Sequence, residues 1–163
     1  MVPDPVPPEA ICLEKAGLRD MDLLALLVGE FHELEGVNQS AESRRGVLAQ
    51  LLDPALTIGE AWLIRRAGTA LGYVVLSHGF SIEFEGRDVL IDEIYLQAPF
   101  RGQGIGALVL DKIMDWAGEQ GLRAVHLEVA ESNRSAIGLY GSRGFEYRRG
   151  YHLMSRRLGR DGN

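Results

Sequence analysis

The spacing of apolar positions changes several times along the chain. From residue 20 to 35, Leu24, Leu27, Val28, Phe31 and Leu34 recur at three- and four-residue steps, which is one face of a helix. Asp20 stands where an N-cap belongs, and Gly36 follows the end. The same period returns from Ser40, with Glu42 in the first turn and Val47, Leu48, Leu51 and Leu52 turned inward, until Pro54 stops it. The pattern then shortens to that of strands. Residues 61–66 and 71–77 read as a hairpin joined through Ala67, Gly68 and Thr69. Residues 81–84 extend its second strand, and Gly86 turns the chain into a third, 89–96. An earlier strand covers residues 10–15.

Helical spacing resumes over residues 104–120, with Ile105, Leu108, Val109, Ile113 and Trp116 on one face and Gly121 at the close. A strand at 124–129 follows, then a short helix at 133–143 ended by Gly144. One or two closing strands are expected over 145–158, around Gly150. The central strands follow one another closely and form an antiparallel meander. The strand, long helix and next strand make a β-α-β unit, whose strands run parallel. The expected fold is α/β of the α+β type: a mixed, mostly antiparallel twisted sheet flanked by helices. Residues 10–158 form one domain, 1–9 a proline-rich extended lead-in, and 159–163 a tail.

Composition narrows the partners. A net charge of −6 over 163 residues argues against nucleic acid, which calls for a basic face. No apolar run approaches the ~20 residues of a membrane span. The N-terminus lacks the basic and apolar regions of a signal peptide, so a cytoplasmic protein is expected. The single cysteine, Cys12, excludes an internal disulfide and reads as a buried strand residue. His32, His78, His126 and His152 lack metal-ligand spacing, and no metal is expected. His78 and His126 read as structural residues, and Trp62 and Trp116 as packing.

The chemistry concentrates in Arg101-Gly102-Gln103-Gly104-Ile105-Gly106, between a strand and a helix. Glycine there admits positive φ and close approach of a ligand. The free amides of the helix's first turn make an anion site, and Arg101 adds charge. A phosphate-bearing ligand is implied. The run Gly102 to Ala107 also fits the G-x-G-x-x-A dinucleotide fingerprint. That fold, however, places the loop after its first strand, whereas here roughly a hundred residues precede it. No Walker lysine follows the glycines.

With this loop the chain resembles the Gcn5-related N-acetyltransferase superfamily, whose acyl-CoA signature [Q/R]-x-x-G-x-[G/A] is matched by Arg101, Gly104 and Gly106. Asn133, Ala136, Leu139, Tyr140, Gly144 and Phe145 match a second segment, N-x-x-A-x-x-L-Y-x-x-x-G-F. The order of elements matches over nearly the whole chain. One departure is Ala98 where the family often has proline, with Pro99 next.

The resemblance implies an acetyl-CoA-dependent transfer to an amine. The pyrophosphate would rest on the amides of Gln103, Gly104, Ile105, Gly106 and Ala107, after Arg101 and Gly102. The strand Ile94, Tyr95, Leu96 would hold the pantetheine arm where it splays from 124–129, with backbone donors near Tyr95 or Leu96 polarising the thioester. Asn133 matches a position that contacts the cofactor arm, and it also reads as a helix N-cap. Tyr140 matches the family's general-acid tyrosine, beside the departing thiolate. A carboxylate would take the amine's proton. Asp92 and Glu93 are the candidates, and strand alternation points them to opposite faces, so that one faces the acceptor, with Glu93 preferred.

Glu30, Glu33 and Glu35, with Glu83, Glu85 and Asp88, are expected to form an acidic lip favouring cationic amines of polyamine or aminoglycoside type. A protein or peptide acceptor, or a CoA-binding regulatory module without catalysis, are the other readings. Dimers are common in the resembled family, so a homodimer is expected, with no interface fixed.

Overall fold

The structure, a computed structural model, describes residues 11–158. The expected lead-in, the start of the first strand at Ala10 and the tail at 159–163 lie outside the described residues. Five strands form one sheet in chain order: β1 (Ile11–Lys15), β2 (Gly59–Arg66), β3 (Thr69–Ser81), β4 (Gly86–Leu96) and β5 (Ala124–Leu127). The first three pairings are antiparallel, and β4 with β5 is parallel. Helices α1 (Met21–Glu35), α2 (Ala41–Leu51), α3 (Ile105–Glu119) and α4 (Arg134–Gly141) flank it. The expected meander and β-α-β unit are both present.

Each face of the sheet has its own core. On one, α1 and α2 bring Leu24, Leu27, Val28 and Leu48 against Leu63, Tyr73, Val75 and Tyr95. On the other, α3 brings Ile105, Val109, Leu110 and Ile113 against Ile11, Ile64, Val74, Leu76, Val89 and Ile91. Each fully buried leucine or isoleucine contributes about 1.5–3 kcal/mol relative to exposure, so a central strand buried on both sides reads as an apolar run. Trp62 and Trp116 meet edge to face at 4.7 Å inside the α3-side core, as expected of packing residues.

Five details depart from the sequence expectation. Leu34 and Val47 are exposed, at 61% and 46%, because each lies off the stripe that its helix turns to the sheet. Asp20 makes no side-chain cap on α1; its carboxylate accepts instead from the Gly17 amide at 2.9 Å. Cys12 is exposed, since alternation on β1 turns Ile11 and Leu13 toward the α3 side and leaves Cys12 on the other face. Residues 82–85 form the turn after β3, and β5 ends at Leu127.

The largest departure is at the C-terminus, where residues 145–158 form no strand. Arg148 anchors this segment to the β3–β4 hairpin, pairing with Glu83 at 2.7 Å and lying over the rings of Phe84 and Tyr151. The segment turns at Arg148, where Tyr151 N–H donates to its carbonyl at 3.3 Å, and Gly150 takes φ +82°. These side-chain attachments hold it in a turn instead of a ladder.

Candidate active site

The glycine loop is built as its sequence requires. Residues 98–100 form a single 3-10 turn after β4. Gly102 and Gly104 then adopt φ of +72° and +78°, where a β-carbon costs roughly 1–2 kcal/mol. Gly104 is the N-cap of α3, and the first helical bond runs from Leu108 N–H to the Gly104 carbonyl at 3.2 Å. The amides of Ile105, Gly106 and Ala107 therefore precede the helical ladder and project from its positive end. A β-carbon on Gly106 would meet Leu139 Cδ2 at 3.2 Å, so this glycine also lets α4 approach α3.

The polar side chains of the loop are tied to the protein. Arg101 Nε donates to the Leu96 carbonyl at 2.7 Å, and its guanidinium lies 5.4 Å from the centre of the Tyr95 ring. Gln103 Nε2 donates to the Pro99 carbonyl at 2.8 Å, and its Oε1 accepts from Arg66 at 3.5 Å. Arg66 lies over Phe100 at 5.7 Å, a second cation beside the loop that sequence reading missed. Only the hairpin register, bringing β2 to this end, reveals it.

Beyond the loop the sheet opens. β4 and β5 pair only from Asp88–Ala124 to Ile91–Leu127, while β4 runs on to Leu96. Its edge past Ile91 therefore has no neighbour on the β5 side among the described residues. Gln97 N–H donates to the Leu71 carbonyl on β3. Alternation of paired and unpaired residues then turns the N–H and C=O of Leu96 to the open edge. The bond from Arg101 to the Leu96 carbonyl agrees with this. Ile94, Leu96, Leu139 and Tyr140 all pack against the α3-side core, so Tyr140 lies on the side that lines the opening.

Tyr140 is placed by the end of its helix. Gly144 N–H bonds the Gly141 carbonyl at 3.1 Å, and Phe145 N–H bonds the Tyr140 carbonyl at 3.1 Å, with Gly144 at φ +82°. This is a Schellman closure. Its customary apolar contact is the Tyr140–Phe145 ring pair, 6.0 Å apart. Tyrosine, glycine and phenylalanine at this spacing thus have a structural cause of their own. Burial raises the phenol's pKa, keeping it protonated at neutral pH. Asn133 is the N-cap of α4, its Oδ1 accepting from Ala136 N–H at 3.1 Å.

The two carboxylates do not divide between the faces as alternation implied. On β4, Glu93 stands opposite Val75 and Ile91 opposite Leu76, so Asp92 is the extra residue of a β-bulge. Ile91 and Ile94 both pack on the α3 side, and Asp92 and Glu93 between them share the other. Glu93 receives the Tyr73 hydroxyl at 2.6 Å, and its Oε1 lies 2.7 Å from His32 Nε2. The pKa of Asp92 is raised, first by burial, then by Glu93 and Glu128, with His32 opposing. Burial also raises Tyr73, with Glu93 adding to the effect.

The remaining candidates separate. Glu30 joins the site from α1, accepting from the Tyr95 hydroxyl at 3.1 Å and from Gln97 Nε2. Glu33 and Glu35 are exposed. Glu83, Glu85 and Asp88 stand at the far end of the hairpin beside Arg148, Arg123 and His126. His78 lies near Glu60, also far from the loop. A cavity of about 250 Å³ there, lined by Glu60, His78, Asp88 and Trp116, is at the opposite end of the strands from the glycines.

An anion cradle, an open strand edge and an acidic pair are thus carried by β4 and the loop that follows it. The acetyltransferase (GNAT) family model matches residues 23–145, most of the chain, and the chain belongs to that family. It is 34% identical over 95 residues to an uncharacterised N-acetyltransferase of Methanocaldococcus jannaschii, covering 56% of this chain and 42% of that one. It is 31% identical over 84 residues to the thialysine N-epsilon-acetyltransferase of Mus musculus, covering 49% of each. The chain thus spans less than half the length of these curated relatives. A solved structure described as a probable acetyltransferase superposes with a TM-score of 0.80 over 91% of this chain and 98% of its own, at 23% identity.

Proposed function

We propose that the protein transfers an acetyl group from acetyl-CoA to the primary amine of a small cationic molecule. The observation that carries this reading is the free edge of β4, which lies between an amide cradle for phosphate and a pair of carboxylates. The free amides after Gly104 suit a pyrophosphate, and Arg66 adds positive charge. The backbone of Leu96 at the open edge suits a thioester and its developing oxyanion.

An alkylammonium ion, with a pKa near ~10.4, must lose a proton before it attacks. Asp92 or Glu93 takes that proton, directly or through water. The amine nitrogen then bonds to the acyl carbon, the carbon–sulfur bond breaks, and Tyr140 protonates the departing thiolate. The name of the thialysine enzyme supports an acceptor with a lysine-like amine. The carboxylates Asp92, Glu93 and Glu30 favour a cation.

The test is thiol release from acetyl-CoA against polyamines, aminoglycosides, amino acids and peptides. Turnover with small amines is expected. Turnover confined to peptides would move the acceptor to protein, and tight CoA binding without turnover would leave a regulatory module.

A further inference from the structure

We propose that His32 is a positioning residue, holding the Glu93 carboxylate in register with Asp92 on the acceptor side of the sheet. The kinetic part of this inference rests on the acetyl-transfer reading; the structural part does not. Residues 32 and 93 come from α1 and β4, and their side chains meet at 2.7 Å. Both are enclosed, with side chains 11% and 20% exposed.

The anchoring is one-sided. His32 Nδ1 is buried with no hydrogen-bond partner among the described residues. The ring therefore makes its one polar contact among the described residues through Nε2, and donation there needs only a hydrogen on Nε2. With that hydrogen Nε2 donates to Glu93 Oε1, as the Tyr73 hydroxyl does to Oε2. Two donors from different elements fix the direction of the carboxylate.

The backbone on both sides explains why such a hold is needed. α1 ends in a Schellman closure, with Val37 N–H bonded to the His32 carbonyl at 2.8 Å and Gly36 N–H to the Glu33 carbonyl at 3.3 Å. The last turn carrying His32 is thereby set. Glu93 follows a bulge, where the ladder is interrupted and the strand bends to re-aim its side chains. Phe31 packs beside the pair, 6.4 Å from Tyr73 and 5.6 Å from Tyr95 between ring centres.

The test compares His32→Leu, which fills the space without a donor, with His32→Gln, whose amide can donate from nearly the same place. The acceptor is the amine best used in the thiol-release panel. For His32→Leu, kcat is expected to fall about ten- to a hundredfold, with the KM for acetyl-CoA unchanged. His32→Gln should recover most of the loss. A kcat unchanged in His32→Leu, or equal losses in the two variants, would overturn the proposal.

NMR of the labelled full chain provides a measurement independent of activity. Hydrogen on Nε2 of His32, and a Glu93 carboxyl signal displaced in His32→Leu and restored in His32→Gln, are expected. An Nε2 without hydrogen, or an undisplaced Glu93 signal, would refute the anchoring. If no amine turns over while this signature is found, the functional reading fails and the anchoring stands. Should His32→Leu not fold, the tautomer and the Glu93 signal of His32→Gln decide alone.

Discussion

The side chains of the site divide into those held by their polar ends and those held by the backbone behind them. Tyr140 is of the second kind, its position set by the helix closure and its contact with Phe145. Tyr140→Phe should therefore leave the melting temperature and acetyl-CoA affinity nearly unchanged while lowering kcat about a hundredfold, the lower end of general acid catalysis; steady-state kinetics checks it. Gly104 is held by its φ. Gly104→Val introduces a β-branched residue where only small deviations are tolerated, and beside the phosphate cradle. Calorimetric titration should detect no acetyl-CoA binding, and retained affinity would remove the loop from the cofactor site.

Asp92 is a residue whose chemistry opposes its stability. The folded protein keeps its proton to a higher pH than the unfolded chain does. Stability is therefore lost as pH rises from the unfolded carboxyl value, about 3.9, through the raised folded value, and the loss persists at neutral pH. Asp92→Asn should raise the melting temperature at pH 7 by on the order of 1 °C, discounted for solvent screening. The gain should vanish below about pH 3.9, and turnover should fall. Melting curves at both pH values check the sign, and an equal gain at each would exclude ionisation as its cause.

Among elements, β4 carries the most information, and it is where sequence reading failed most instructively. The glycine loop and the segment from Asn133 to Phe145 were legible because their physics is local. Positive φ, free helical amides and a Schellman closure all lie within a few residues of their cause. A bulge is not local: it is defined by the partner strand, and Asp92 becomes an extra residue only once Glu93 is set against Val75 and Ile91 against Leu76. The contact between residues 32 and 93 is invisible for the same reason. A histidine without a ligand pattern gives no sign of a carboxylate 61 residues away. Arg66 escaped notice because its approach to Gln103 depends on the fold of β2.

At the scale of the molecule, the element order followed from periodicity, because burial enforces periodicity; the division into two cores is seen only in the packing. The C-terminal strands did not follow, since a strand needs a partner and Arg148 ties this segment to the hairpin. Of the acidic residues expected at the lip, Glu83, Glu85 and Asp88 are paired near the hairpin tip, and Glu30 alone joins the carboxylates of β4. With a net charge of −6, attraction of a cationic acceptor should weaken with salt. The acceptor's KM should rise several-fold between about 0.02 and 0.2 M salt, and initial rates across that range check it. An unchanged KM would show that the carboxylates act in proton transfer and not in capture.

The extra residue at position 92 also fixes how β4 tolerates change. A complete substitution scan along this strand should show a two-residue rhythm in which odd positions prefer apolar side chains toward α3 up to Ile91. The rhythm then slips by half a period, and from Ile94 onward the even positions take over that preference. A relative with one residue fewer here would restore an unbroken rhythm without turning Glu93 around. Alignments that place a gap at residue 92 would therefore mark proteins that keep the wall of the site but lack its second carboxylate.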